Sequence, residues 1–260
     1  MCSVAASQSK KGKAMKIDLA IIGGSGLYQF AGLEDIERHV IDTPFGKPSG
    51  HVVTGAFSGK RLAFLARHGE SHTVPPHRVN YRANVSALHT LGAARIIGIN
   101  AVGGIRDDMG PRSVVVPDQI IDYTHGRISS FWDVEGTKVH HIDFSYPYDA
   151  GLRRELLAAA ANSNVDVVDG GCYGATQGPR LETVAEIARM RRDGCDLVGM
   201  TGMPEAVLAR ELAIPYACLA LVANWAAGCG DEGEISIDEI FAHLEYATAN
   251  VAPIIGQILA

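Results

Sequence analysis

No apolar run along the chain reaches the length of a membrane span, and the sequence has no low-complexity tract and no internal repeat. No membrane partner is therefore expected. Cysteine is sparse and scattered: Cys2, Cys172, Cys195, Cys218 and Cys229 are odd in number and form no C-x-x-C pair. That pattern argues for reduced thiols in a cytoplasmic protein, most of them packed as small apolar groups. Basic charge is also short, with a formal net charge of -6, which argues against a nucleic-acid partner because a phosphate backbone needs a basic face. A small anionic substrate stays open, since local basic residues override the global sign. The opening stretch "MCSVAASQSKKGKAMKIDLA" has lysines but no apolar h-region ahead of the first strand, so it does not read as a secretory signal. Residues 1–15 are expected to be a flexible polar extension and residues 16–260 the folded domain. What the chain does have is 47% hydrophobic and 20% charged residues over 260 positions, enough for a large core in one α/β domain.

From Lys16 onward apolar strands alternate with amphipathic helices. "KIDLAIIGGSGL" is a strand breaking into a glycine turn, and "HVVTGAFSGKRLAFLARHG" is two strands around Ser58-Gly59. "VNYRANVSALHTLGA" fits a helix stopped by Gly92; "RIIGINAVGGI" and "SVVVPDQIIDYT" each read as a strand. "PYDAGLRRELLAAAAN", "ETVAEIARMRRDG" and "MPEAVLARELAI" carry helical periodicity, and "CDLVGMTG" and "PYACLALVANWA" are strands. A last helix starts near Ser236, where "SIDE" has the form of a capping box. The alternation predicts an α/β sandwich around a mixed, largely parallel sheet, in which ligands gather at the carboxyl ends of strands. Those ends are Gly24-Ser25-Gly26, Arg67-His68, Asn100-Ala101, Met200-Thr201 and Asn224.

Each motif has a bland alternative. "GGSGL" offers backbone N–H groups and the Ser25 hydroxyl to an anion, or is a plain tight turn. It lacks the third glycine of a dinucleotide fingerprint, the lysine of a P-loop and the final glycine of a nucleophile elbow. Arg67 supplies a planar fork suited to phosphate and His68 a second bond or a proton; otherwise they are a surface pair. His68, His72 and His77 are separated by prolines and share no carboxylate, which argues against a metal. Asn100 and the Ala101 amide could close an oxyanion cradle or simply form a turn. Glu182 suits a helix start and Thr201 a cap, both ordinary structural roles.

Together, "IIGGSGL", "ARHGESHTVPPHRVNYRANVSALHTLGA", "INAVGGI", "GPRLETVAE" and "GMTGMPEAVLARELAIPYACLALV" resemble the trimeric purine nucleoside phosphorylase and methylthioadenosine phosphorylase family, in the family's order and over nearly everything after Lys16. The resemblance implies a single-domain three-layer sandwich and a phosphate site made of Ser25, Arg67, His68, Asn100 with Ala101, and Thr201. It implies that Met200 lies against the ribose, that Leu181 packs on the base side, and that His141 reaches a neighbour's 5′ pocket in a homotrimer. It also implies phosphorolysis, in which phosphate is a co-substrate and no metal or organic cofactor is needed. Arg67 and His68 would hold the nucleophile, and Asn224 would stabilise the leaving base.

The resemblance is informative where the chain departs from it. Asn224-Trp225-Ala226 stands where the methylthioadenosine branch has Asp-Tyr-Asp, whose two acids suit adenine. Asn224 offers an amide donor as well as an acceptor, and the donor matches the two acceptors, O6 and N7, of a 6-oxopurine edge, while Ala226 offers neither. Glu182 matches the glutamate that accepts from N1–H in 6-oxopurine enzymes, where the methylthioadenosine branch has serine. At the other end Ile237 replaces the histidine that inosine and guanosine enzymes use for a 5′-hydroxyl, with Ile240 one turn on and His72 and Pro76 nearby. An oxopurine edge beside an apolar 5′ pocket points to S-methyl-5′-thioinosine as substrate, with methylthioadenosine and inosine or guanosine as alternatives. A silent nucleoside-binding protein is disfavoured by the retention of Arg67, His68 and Thr201.

Overall fold

A computed structural model describes residues 16–133, 136, 138–230 and 236–260; the expected extension at residues 1–15 lies outside the described residues. The first half of the chain forms β1 (Leu19–Gly23), β2 (Glu34–His39), β3 (Val52–Phe57), β4 (Lys60–Ala66), α1 (Tyr81–Thr90), β5 (Ile96–Gly104), β6 (Val114–Val116) and β7 (Gln119–Asp122). The second half forms α2 (Ala150–Asn162), β8 (Val167–Asp169), β9 (Cys172–Ala175), α3 (Val184–Asp193), β10 (Leu197–Gly199), α4 (Gly202–Glu211), β11 (Tyr216–Trp225), α5 (Ile237–Thr248) and α6 (Val251–Leu259).

The strands make one mixed sheet, and most of its pairings are parallel, among them β1 with β4 and β5, and β5 with β11. Alternation along each strand sends side chains to two separate cores. Ala20 and Ile22 face one, shared with Val85 and Leu88 of α1 and Leu208 of α4. Leu19 and Ile21 face the other, under Leu152 of α2, Leu244 of α5 and Ile254 of α6. That is the expected three-layer sandwich. Helix ends follow local chemistry. Asn80 accepts from the Ala83 N–H (3.1 Å) to start α1, and Gly92, at φ 82°, supplies the left-handed residue that turns the chain after it. Ser236 caps α5 by accepting from the Glu239 N–H at 3.4 Å, but the capping box with both halves formed is Thr183 with Glu186, at the start of α3.

Three expectations are corrected. "SVVVPDQIIDYT" is not one strand: it breaks at Pro117, which has no N–H for a ladder, so β6 joins β11 and β8 while β7 joins β9. Arg153 pins the break by donating to the Val116 and Pro117 carbonyls (3.1 and 2.9 Å). The single last helix is two, α5 and α6, with the boundary at Ala249–Asn250. Asn100-Ala101 lies in the middle of β5, not at its end.

That last correction explains where the site is. One edge of β5 is shared: β1 pairs with Ile96–Gly98, and β10 runs in from the opposite direction to pair with Gly103 and Gly104. The carboxyl ends of β1 and β10 therefore converge over the middle of β5, where Asn100 and Ala101 sit between them. β11 holds the other edge of β5 along its whole length, with a register shift between Val222 and Asn224. A crevice at such a change of strand partner is where open α/β sheets bind ligands.

Candidate active site

A cavity of about 600 Å³ occupies this crevice. Its polar end is bordered by Gly24, Ser25, Arg67, His68, Ala101 and Thr201, delivered by β1, β4, β5 and the turn between β10 and α4. Arg67 is fully buried. Its Nε and Nη2 donate to the two carboxylate oxygens of Glu205 on α4, the Nη2 bond being 2.8 Å. Nη1 donates to the Ile99 carbonyl (2.9 Å), and Nη2 also lies 3.2 Å from Asn100 Oδ1 and 3.3 Å from the Ile22 carbonyl. The guanidinium thus bridges β1 and β5 where they separate, donating to a carbonyl of each. It can do so because residue 24 is glycine: a Cβ there would stand 2.9 Å from Nη1 and 2.7 Å from the Ile99 oxygen. Burial works against the Arg67 charge, but the adjacent Glu205 carboxylate outweighs it and raises the guanidinium above its ordinary value.

Asn100 does not border the cavity; it is fully buried behind it. Since Arg67 can only donate, the Asn100 oxygen faces Arg67 and its amide nitrogen faces the Thr201 hydroxyl at 3.0 Å. Thr201 Oγ1 is then an acceptor from within the protein, and its own hydrogen is left for an anion in the cavity. His68 Nδ1 lies 2.8 Å from the Val74 carbonyl, so that nitrogen carries the hydrogen. Burial, with the Arg67 charge next, lowers the His68 pKa to about 4, and its ring is neutral near pH 7. His72, at φ 51°, packs its ring on those of His68 and Tyr28, with centroids at 4.8 and 5.4 Å.

A second end of the cavity is formed by Leu181, Glu182, Asn224 and Ala226, with Val198 and Gly199 on its floor and Met200 beside them. Glu182 Oε1 accepts from the Thr176 hydroxyl at 2.6 Å, which leaves Oε2 without a protein donor among the described residues. Asn224 Nδ2 donates to the Trp225 carbonyl at 2.6 Å, keeping one amide hydrogen and Oδ1 in reserve. Trp225 itself, expected beside the base, is not part of the cavity wall. Its indole lies instead on Gly110 and Gly230, where a Cβ would come within 2.9 and 2.4 Å. The wall also carries apolar side chains: Val74, Pro75 and Pro76, and Ile237, Ile240, Phe241 and Leu244 of α5. His141 is exposed and outside the cavity of its own chain.

Several residues of this region went unremarked in the sequence. Glu205 stands in the apolar surroundings of "GMPEAVLA", and a buried arginine requires a counter-ion; those two facts were the available signal. Phe241 follows Ile240 on the face of α5 that borders the cavity. Arg127, in the loop after β7, donates to the carbonyls of Thr176, Gln177, Met200 and Met203 at 2.7–3.1 Å, tying the Glu182 segment to the Met200 segment. No local pattern in the loop "YTHGRISS" foretells that. Among the described residues no group of three His, Cys, Asp or Glu side chains is placed to hold a metal, and no helix is long and apolar enough to cross a membrane.

The phosphorylase superfamily model matches residues 18–260, and the chain belongs to that superfamily. The chain is 57% identical to the probable S-methyl-5′-thioinosine phosphorylase of Xanthomonas campestris pv. campestris, over 93% of this chain and 97% of that one. It is 45% identical to the 6-oxopurine nucleoside phosphorylase of Pyrococcus furiosus, covering 81% of this chain and 80% of the other. Among solved structures, a methylthioadenosine phosphorylase from an Antarctic soil metagenomic library superposes with a TM-score of 0.87 at 38% identity, over 94% of this chain and 85% of that one. The Schistosoma mansoni methylthioadenosine phosphorylase in complex with adenine gives 0.86 at 31% identity, over 94% and 91%.

Proposed function

We propose that the chain is a nucleoside phosphorylase that cleaves S-methyl-5′-thioinosine with inorganic phosphate, yielding hypoxanthine and 5-methylthioribose 1-phosphate. The observation that carries the reading is the pairing of opposite chemistries in one cavity wall: Glu182 and Asn224 with the aliphatic Ala226, and four apolar side chains of α5. Relatives named as acting on methylthioinosine and on 6-oxopurine nucleosides support it.

In this reading phosphate sits at the polar end, held by Ser25, the Ala101 N–H, the Thr201 hydroxyl and the remaining Nη1 hydrogen of Arg67, while Nε2 of the neutral His68 accepts the phosphate's own hydrogen. A phosphate oxygen attacks C1′ as the bond to N9 breaks, and the electron pair of that bond passes to the purine. Asn224 meets the developing charge, its free amide hydrogen donating to O6 and its Oδ1 accepting from N7–H once solvent has delivered that proton to the departing purine anion. Glu182 Oε2 accepts from N1–H, a hydrogen that adenine lacks. Met200 and Leu181 pack on ribose and base, and Ile237, Ile240, His72 and Pro76 enclose the methylthio group. His141 is assigned to the 5′ end of a neighbouring site in a homotrimer. No protein nucleophile, metal or organic cofactor enters these steps.

The alternative within the same chemistry is methylthioadenosine, favoured by the apolar side chains of the cavity wall and by the names of the solved neighbours. Steady-state phosphorolysis of methylthioinosine, methylthioadenosine and inosine, compared as kcat/KM, decides between them. Methylthioinosine is expected to lead methylthioadenosine by on the order of 10⁴-fold, the discrimination typical of a site whose buried polar groups are left unpaired by the wrong ligand. Parity between the two bases would overturn the base assignment.

A further inference from the structure

Glu205 is buried, lies outside the cavity wall, and spends its whole carboxylate on three groups: Arg67 Nε, Arg67 Nη2 at 2.8 Å and the Tyr216 hydroxyl at 3.0 Å. Tyr216 reaches it only because residue 98 is glycine, where a Cβ would stand 2.1 Å from the tyrosine oxygen. The arrangement removes the fork that makes arginine a tight phosphate ligand. Of the five N–H groups of Arg67, four are engaged by Glu205, Asn100 with Ile22, and Ile99, leaving one on Nη1. Of the other basic side chains on the cavity wall, His68 has its Nδ1 hydrogen on the Val74 carbonyl and His72 packs against it.

We propose that Glu205 is a positioning residue that cancels the charge of Arg67, so that phosphate is oriented by hydrogen bonds without being ion-paired and stays nucleophilic. The proposal rests on the phosphate site of the preceding reading. Its logic is differential binding. An anion that must pass charge to a cationic C1′ gains nothing from a full positive charge that holds it equally or more firmly before the attack. A neutral Arg67–Glu205 pair keeps the donor geometry and withholds that ground-state stabilisation. A purely structural Glu205 would only shield a buried arginine.

The two roles differ in the sign of one parameter. With the full-length enzyme, Glu205→Gln is expected to lower the KM for phosphate and to lower kcat, each by roughly tenfold, as the uncancelled charge binds the anion. Phosphate should also raise the Tm of this variant by more than it raises that of the parent, and Glu205→Asp, which keeps the charge, should restore the parental split. A folded Glu205→Gln enzyme whose phosphate KM is unchanged or raised overturns the proposal. Should that variant not fold, the charge-free pair Arg67→Gln with Glu205→Gln decides. Its phosphate KM should rise by only about tenfold, the worth of the one Nη1 hydrogen bond to phosphate that is lost. A rise beyond about a hundredfold would mean that Arg67 acts on phosphate as a full cation. A parent enzyme without phosphate-dependent turnover defeats the phosphorylase reading instead, which keeps the two failures apart.

Discussion

Replacing Glu182 with glutamine tests the base assignment at one atom. The Thr176 hydroxyl donates to Oε1 at 2.6 Å, and that bond orients the head group. In Glu182→Gln the amide oxygen inherits the Thr176 hydrogen and the NH₂ faces the position of purine N1. A 6-oxopurine presents N1–H there, so a donor meets a donor. The loss comprises one hydrogen bond to a charged acceptor, about 2 kcal/mol, and one donor buried without a partner, about 2 kcal/mol more. About 4 kcal/mol corresponds to on the order of 10³-fold in kcat/KM for methylthioinosine. Adenine has an unprotonated N1, which the new amide can serve, so methylthioadenosine should lose far less or gain. The assay is phosphorolysis of both nucleosides by the parent and the variant, followed by base release. A variant that slows both nucleosides equally would show that Glu182 does not read N1, and the reasoning would fail there.

The same edge can be tested from β11: Asn224→Asp together with Ala226→Asp should raise activity on methylthioadenosine and depress it on methylthioinosine, and no gain on the adenine nucleoside would count against the edge-reading account. On the apolar part of the wall, Ile237→Ser with Ile240→Ser should narrow the preference for methylthioinosine over inosine by about 1–3 kcal/mol per contact, read as a ratio of kcat/KM values; an unchanged ratio would remove α5 from the 5′ pocket. His68 gives a pH prediction. Its folded pKa, about 4, lies below the ordinary histidine value, so between roughly pH 6.5 and 4 the unfolded chain binds a proton that the folded chain refuses. Stability to urea in phosphate-free buffer should therefore fall as pH drops through that window, and His68→Gln should fall less steeply; parallel slopes would contradict a buried neutral ring. Arg127→Gln should cost activity on every nucleoside tested, because it loosens the Met200 and Thr176 segments together; loss confined to one base would place Arg127 in base recognition alone.

How much of this was legible depends on how far apart in sequence the interacting atoms lie. Ser25, the Arg67-His68 pair, Thr201 and Asn224 stand at or next to the ends of strands whose apolar runs are unmistakable, so their convergence follows from the rule that strand ends gather ligands. Trp225 lies off the cavity wall because its indole packs on Gly110 and Gly230, and Gly110 is remote in sequence. Edge strand β2, "EDIERH", has almost no apolar residues, because a solvent-facing edge needs charge more than hydrophobicity, and so it left no strand signature. Asn100 was read as a ligand of the anion, whereas its side chain is buried off the cavity wall and bonded to Arg67 and Thr201. Glu205 shows the limit most clearly. It meets Arg67 across 138 residues, and its one local mark is to stand among the apolar residues of "GMPEAVLA". Yet once Arg67 is taken to be buried, physics demands an anion beside it, and the only question is which one. The ligands of the proposed phosphate site are thus written in short motifs, whereas the groups that set their charge and geometry are written in three dimensions. A variant that keeps every motif intact and alters only Glu205 therefore probes what the motifs leave unspecified.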